Sequence, residues 1–247
     1  MADFPTTKEP AVCIPPGRYW IGDDSVPNAG PRHLLVFAKA VWIDRFPVRL
    51  AHIEQFVVAE RLQPSAVPHS KSFREQAQPS VDGAFRSVVA ATKRAFGGFA
   101  QRKQRSASLA ACGLLWQEAV DVCEFFGARL PTESEWEVAM SLGKPDASRT
   151  ASDATGGTTS QLGCVGFPGG LQEWTGSGWT DRYWMDNDDH AAPLPPSDAK
   201  ISVRGCLPVG QVASLHCRLA VPRDDATVPR IFRRVWEHPP APETHAS

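Results

Sequence analysis

The sequence predicts an α+β domain in which regular secondary structure is sparse. Short stretches of alternating apolar and polar residues, separated by turn formers, read as strands toward both ends of the chain. Two amphipathic segments joined by a tight corner, WQEAVDVCEFFG and RLPTESEWEVAM, read as helices. With 22 prolines, 19 glycines and 8 tryptophans, the chain has the turn content and the indole packing posts of an irregular fold.

The 247 residues suit one loop-rich domain with a sizeable core. Basic and acidic residues balance, 26 against 27, so no whole-protein field calls for nucleic acid or a membrane surface. The first twenty residues lack a cationic stretch followed by an apolar one, and no apolar run reaches membrane-spanning length. The expectation is a cytoplasmic protein with no membrane association. Cys13, Cys112, Cys123, Cys164, Cys206 and Cys217 are scattered without a CxxC pair, which reads as reduced thiols and not as a disulfide frame.

In chain order, residues 1–11 read as an N-terminal arm and 12–237 as a single domain. VCIPPGRYWIGD alternates around a Pro-Pro-Gly turn, and HLLVFAKAVWIDRFPV is rich in β-branched and aromatic residues; DDSVPNAGPR between them suits a hairpin connection. LAHIEQFVVAERL places Ile53, Phe56, Val57 and Leu62 on one helical face, with Pro47 just ahead of its start. Residues 63–108 form a basic insertion, with Lys71, Arg74, Arg86, Lys93, Arg94, Arg102, Lys103 and Arg105 against Glu75 and Asp82. It reads first as a solvated surface excursion and second as a docking surface for an acidic partner or nucleic acid.

In the helix pair, Trp116, Ala119, Val120, Cys123 and Phe126 recur at helical spacing and Gly127 suits the stop. Thr132 followed three residues later by Glu135 is the capping-box spacing. Glu133, Glu135 and Glu137 are therefore assigned to the helix N-terminus rather than to acid–base chemistry. Residues 143–170 read as a flexible loop, KISVRGCLPVG with SLHCRLAV as a strand pair, IFRRVWEH as a final strand, and 238–247 as a disordered tail.

With these pieces in order, the chain resembles the formylglycine-generating-enzyme-like, or sulfatase-modifying-factor, domain family. The likeness is carried by IPPGRYWIGDD, VWIDRFPVRLAHIEQFV, WQEAVDVCEFFGARLPTESEWEVAM, the pair EWT and VRG, and the closing IFRRV, with ARLPTESEWEVA the most specific. The resemblance implies an irregular C-type-lectin-like scaffold. Founding members of the family oxidise a substrate cysteine to formylglycine with copper and oxygen, holding the metal on two cysteines just after an R-G-G-S-F strand. Here Arg204-Gly205 are followed by Cys206, Leu207 and Pro208, and the two copper positions, counted from Arg204, fall at Gly210 and Leu215. Where many relatives read G-N-V-W-E-W, this chain has Gly169-Gly170-Leu171-Gln172-Glu173-Trp174, and the loop before it is shortened. In the family that region helps to build calcium sites and the substrate groove.

The sequence therefore offers three site readings. Cys206, His216 and Cys217 form a soft-ligand cluster that suits copper, iron or zinc, or an activated thiolate; against it, the two cysteines read as small buried hydrophobes of a strand pair. Asp181, Asp186, Asp188 and Asp189 form an acidic loop that reads as a calcium site or, more simply, as solvated charge. Trp179, Tyr183, Trp184, Arg204, His216 and Arg218 form the expected surface for a protein partner. The leading functional expectation is a divergent family member without the copper–cysteine site, acting as a binding or accessory domain. The rival is a metal- and oxygen-dependent oxidase of a peptide cysteine or small thiol.

Overall fold

The computed structural model describes residues 11–62, 110–141, 158–167, 171–182, 194–205 and 215–241. Among the described residues the architecture is α+β, with three helices and several small sheets. The strands are β1 (Ala11–Ile14), β2 (Gly17–Ile21), β3 (His33–Phe37), β4 (Val41–Asp44), β5 (Thr158–Thr159), β6 (Val165–Phe167), β7 (Glu173–Gly178), β8 (Ile201–Arg204), β9 (Arg218–Val221), β10 (Ile231–Phe232) and β11 (Val235–Trp236). The helices are α1 (Leu50–Leu62), α2 (Trp116–Phe125) and α3 (Glu133–Met140).

A four-stranded sheet runs β10-β7-β8-β9 and a three-stranded sheet runs β1-β4-β11; β2 pairs with β3 and β5 with β6. The β2–β3 hairpin and the antiparallel β8–β9 pair fall where the alternation pattern places them. Two expectations change. IFRRVWEH is not one strand, because Arg233 and Arg234 turn inward to Glu173 and Asp44; the segment splits into β10 and β11, one in each sheet. Residues 158–167, read as loop, carry the β5–β6 ribbon. There Ser160 and Cys164 bond reciprocally, and Gly163 and Gly166 adopt positive φ. The basic insertion and most of the 143–170 loop lie outside the described residues.

The core has two halves. In one, Ile53, Phe56 and Val57 of α1 meet Trp116, Ala119, Val120 and Cys123 of α2 over Trp174, Ile201, Val203 and Phe232. In the other, the three-stranded sheet and the hairpin's inner face pack Ile14, Ile21, Leu35, Phe37 and Ile43 on Trp136, Val138, Ala139 and Met140 of α3. α3 touches β1, β2, β7 and β8, so it lies where both halves converge.

The indoles are packing posts, and several carry a guanidinium. Trp116, Trp136 and Trp174 are fully buried, with the guanidinium carbons of Arg223, Arg204 and Arg230 at 4.3, 5.5 and 4.6 Å from their ring centroids. This placement combines aromatic burial with cation–π attraction. Among the described residues no helix is long and apolar enough to cross a membrane.

Candidate functional site

The end of β8 and the start of β9, where the resemblance implies the copper positions, sit against α3. Thr132 caps that helix: its hydroxyl accepts from Glu135 N at 3.1 Å, and Glu135 Oε2 accepts from Thr132 N at 2.7 Å. Glu135 also takes a two-pronged ion pair from Arg129, both bonds 2.7 Å. Capping is the role the sequence assigned to all three glutamates of this helix, and Glu135 has it.

Glu133 and Glu137 do something else. They are one turn apart on α3, both buried, and both face the strand pair. Glu133 accepts from Arg204 Nη1 at 3.1 Å and from Arg218 through Nε and, at 2.8 Å, Nη2. Glu137 pairs with Arg204 Nη2, lies 2.7 Å from His216 Nδ1 and accepts from Gly22 N at 2.6 Å. Two carboxylates thus balance two guanidiniums with almost no solvent between them. Burial on its own would raise the Glu137 carboxyl, but Arg204, His216 and the Gly22 amide outweigh it and lower it to about 2. Sequence reasoning missed this role because helix-start position already explained the glutamates. The available signal was their four-residue spacing, matched by two arginines on paired strands.

Glycine closes the geometry. Gly205 follows Arg204 at φ +73°, and a Cβ there would lie 3.3 Å from Leu171 O and 3.7 Å from the Trp136 ring. An Arg-Gly ending lets β8 bury its arginine and then turn away over Trp136. Trp136 Nε1 in turn donates to Glu173 Oε2 at 2.9 Å, and Glu173 is the buried partner of Arg233.

Of the other predicted site residues, the structure brings Arg204, His216, Arg218 and Trp179 together around Glu133 and Glu137. Arg204 and Arg218 are buried in the ion-pair network, so their guanidiniums do not reach the surface expected to meet a partner. Arg218 Nη1 and Nη2 donate to Asn28 O and Thr180 O at 2.7 and 3.0 Å, and its guanidinium carbon lies 4.5 Å from the half-buried Trp179 ring. His216 is the network's outlet to solvent, 24% exposed. Cys217 is buried. Tyr183, Trp184, Asp186, Asp188, Asp189 and Cys206 lie outside the described residues, while Asp181 is exposed.

Among the described residues no three His, Cys, Asp or Glu side chains group as metal ligands. The positions that would carry copper by the family's spacing are Gly210 and Leu215, neither of which has a sulfur. Leu215 instead packs against the hairpin half of the core, and its carbonyl accepts from Arg204 Nη2 at 3.2 Å. The donor set at that spacing does not fit copper.

This scaffold, with its capped helix under an Arg-Gly strand end, defines a class of protein that the comparisons make specific. The family model for the Sulfatase-modifying factor enzyme 1-like domain matches residues 1–160, and the chain belongs to that family. The structure is similar to that of PvdO from Pseudomonas aeruginosa, with a TM-score of 0.56 and 15% identity over 91% of this chain and 93% of that one. It also aligns with Treponema denticola variable protein 1, with a TM-score of 0.48 and 14% identity over 92% and 95% of the two chains. No curated protein matches significantly in sequence.

Proposed function

We propose that this chain is a divergent sulfatase-modifying-factor protein that lacks the copper–cysteine oxidase site and serves as a binding or accessory domain for a protein partner. The observation that carries the reading is Leu215. At the second copper position by the family's count stands an apolar side chain seated on the core. Around it the described strand ends are fixed by Glu133, Glu137, Arg204 and Arg218, a set in which the two carboxylates are engaged by the two guanidiniums and, at Glu137, by His216. A stable base with variable loops supports binding without chemistry. Trp179 is half-buried and held against Arg218, and Tyr183 and Trp184 follow it four and five residues on in the sequence.

The test has two arms. Purified protein is incubated with copper, oxygen and a cysteine-bearing peptide, and mass spectrometry follows thiol-to-aldehyde conversion; none is expected. Conversion that disappears in Cys206→Ser or Cys217→Ser would replace this reading with the oxidase one. In parallel, affinity capture from source cells compares the wild-type chain with Trp179→Ala, and a specific partner is expected to be lost with the variant.

A further inference from the structure

The outward face of the β2–β3 hairpin carries more apolar surface than a solvated ribbon requires. Alternation turns Ile21, Leu35 and Phe37 into the core and Arg18, Trp20, Leu34 and Val36 outward. Trp20 stands opposite Leu34 and Arg18 opposite Val36. Trp20, Leu34 and Val36 are 59, 42 and 47% exposed. Arg32, two residues before Leu34, lays its guanidinium carbon 5.2 Å from the Trp20 ring centroid.

The ribbon brings two guanidiniums, those of Arg18 and Arg32, to this face. Among the described residues neither Arg18 nor Arg32 has a carboxylate within ion-pair distance. The neighbouring acids lie in the adjoining turn and stay charged: Asp23 Oδ1 accepts from Ser25 N and Oγ at 2.8 and 2.6 Å, bonds that with the more distant His216 and Arg32 hold its carboxyl below the ordinary range, and Asp24 Oδ1 accepts from Arg32 N at 3.0 Å. The ribbon is also held rigidly. Its connecting loop is tied to the buried network by Gly22 N on Glu137 and by Arg218 Nη1 on Asn28 O.

We propose that this face docks a protein segment whose apolar side chains are bordered by carboxylates. Trp20, with Arg32 stacked on it, is the anchor, and Leu34 and Val36 give the apolar floor. Arg18 and Arg32 supply the guanidinium donors for the partner's acids. Tryptophan and arginine are the residue types that dominate binding energy at interfaces, and a contiguous apolar patch ringed by charge marks such a site. A second copy in a two-fold contact would bring the same two arginines to both sides of the interface. A fluid bilayer makes no use of a fixed two-residue repeat.

Labelled peptides of alternating Leu and Glu, alternating Leu and Lys, and Gly-Ser are titrated with the full chain by fluorescence anisotropy at low and raised salt. The Leu-Glu peptide is expected to bind best, and more weakly as salt rises. Trp20→Ala should weaken it about tenfold with an unchanged melting curve, since the side chain is exposed. The double variant Arg18→Glu with Arg32→Glu should transfer preference to the Leu-Lys peptide. Equal binding of the two charged peptides, binding to neither, or indifference to Trp20→Ala overturns the proposal. So does dimerisation abolished by Trp20→Glu, or sedimentation with phosphatidylserine vesicles abolished by Trp20→Ala. Those outcomes would assign the face to a second copy or to a bilayer.

Discussion

Arg204 and Arg218 stand directly opposite each other across β8 and β9, and the single carboxylate of Glu133 accepts from both. Like charges in direct cross-strand register repel. The pairing persists because α3 delivers a carboxylate between them, with a second, Glu137, one turn along.

Glu133→Gln is therefore expected to destabilise the chain by about 3–5 kcal/mol, the range for breaking a buried pair by removing one partner. Urea unfolding of variant and wild type measures it. A loss below about 1 kcal/mol, the scale of an exposed pair, would mean that solvent already reaches the site.

Glu137 sets an acid limit on stability. Its carboxyl, lowered to about 2 in the folded chain from an ordinary 4.5, binds protons more readily when unfolded. The stabilisation is full above about pH 4.5 and falls as pH drops toward 2, by a few kcal/mol in all. Unfolding free energy compared at pH 5 and pH 3 should show this fall, and Glu137→Gln should flatten it while lowering stability at neutral pH.

Two glycines with similar backbone angles separate strain from crowding. A Cβ added to Gly127, at φ +63°, would meet nothing within 4 Å, whereas one added to Gly205, at φ +73°, would face Leu171 O and Trp136. Gly127→Ala should cost about 1 kcal/mol through the left-handed conformation alone. Gly205→Ala should cost at least about 1 kcal/mol more, because a backbone carbonyl must move. Thermal unfolding of the two variants side by side checks the order.

Thr132→Ala should lower stability by about 1 kcal/mol through loss of the α3 cap. Glu135 keeps its two bonds to Arg129 and its bond to Thr132 N, so the helix should survive. Circular dichroism with chemical denaturation distinguishes this graded loss from collapse of the helix.

Legibility in the sequence followed the range of the interactions. The Thr132–Glu135 box, the Gly127 stop and the apolar face of α1 depend on neighbours three or four residues away, and each is readable from spacing. The β2–β3 hairpin was readable from alternation around a turn-forming loop. The ion-pair network was not, because Glu133 and Arg218 lie 85 residues apart and each has a local explanation. The split of the last strand failed for the same reason: the Arg-Arg pair between β10 and β11 is explained only by Glu173 and Asp44, on other strands. Family resemblance identified the scaffold and located the strand end, but it could not show that the arginine there faces inward.

The way the chain leaves and re-enters the core near α1 has a consequence for length variation. Arg49 forms a bridge with Ala110, and Ala111 N donates to Val48 O at 2.7 Å, so the return point is stapled beside the helix start. The departure point is the far end of α1, 13 residues on, which at 1.5 Å per residue is about 20 Å away. Any connector between Leu62 and Ala110 must cross that gap, which takes at least about six extended residues. Beyond that minimum, extra length adds closure entropy only slowly. The position is a port at which length can change while the stapled return point, Ala110 and Ala111 beside Val48 and Arg49, stays in place.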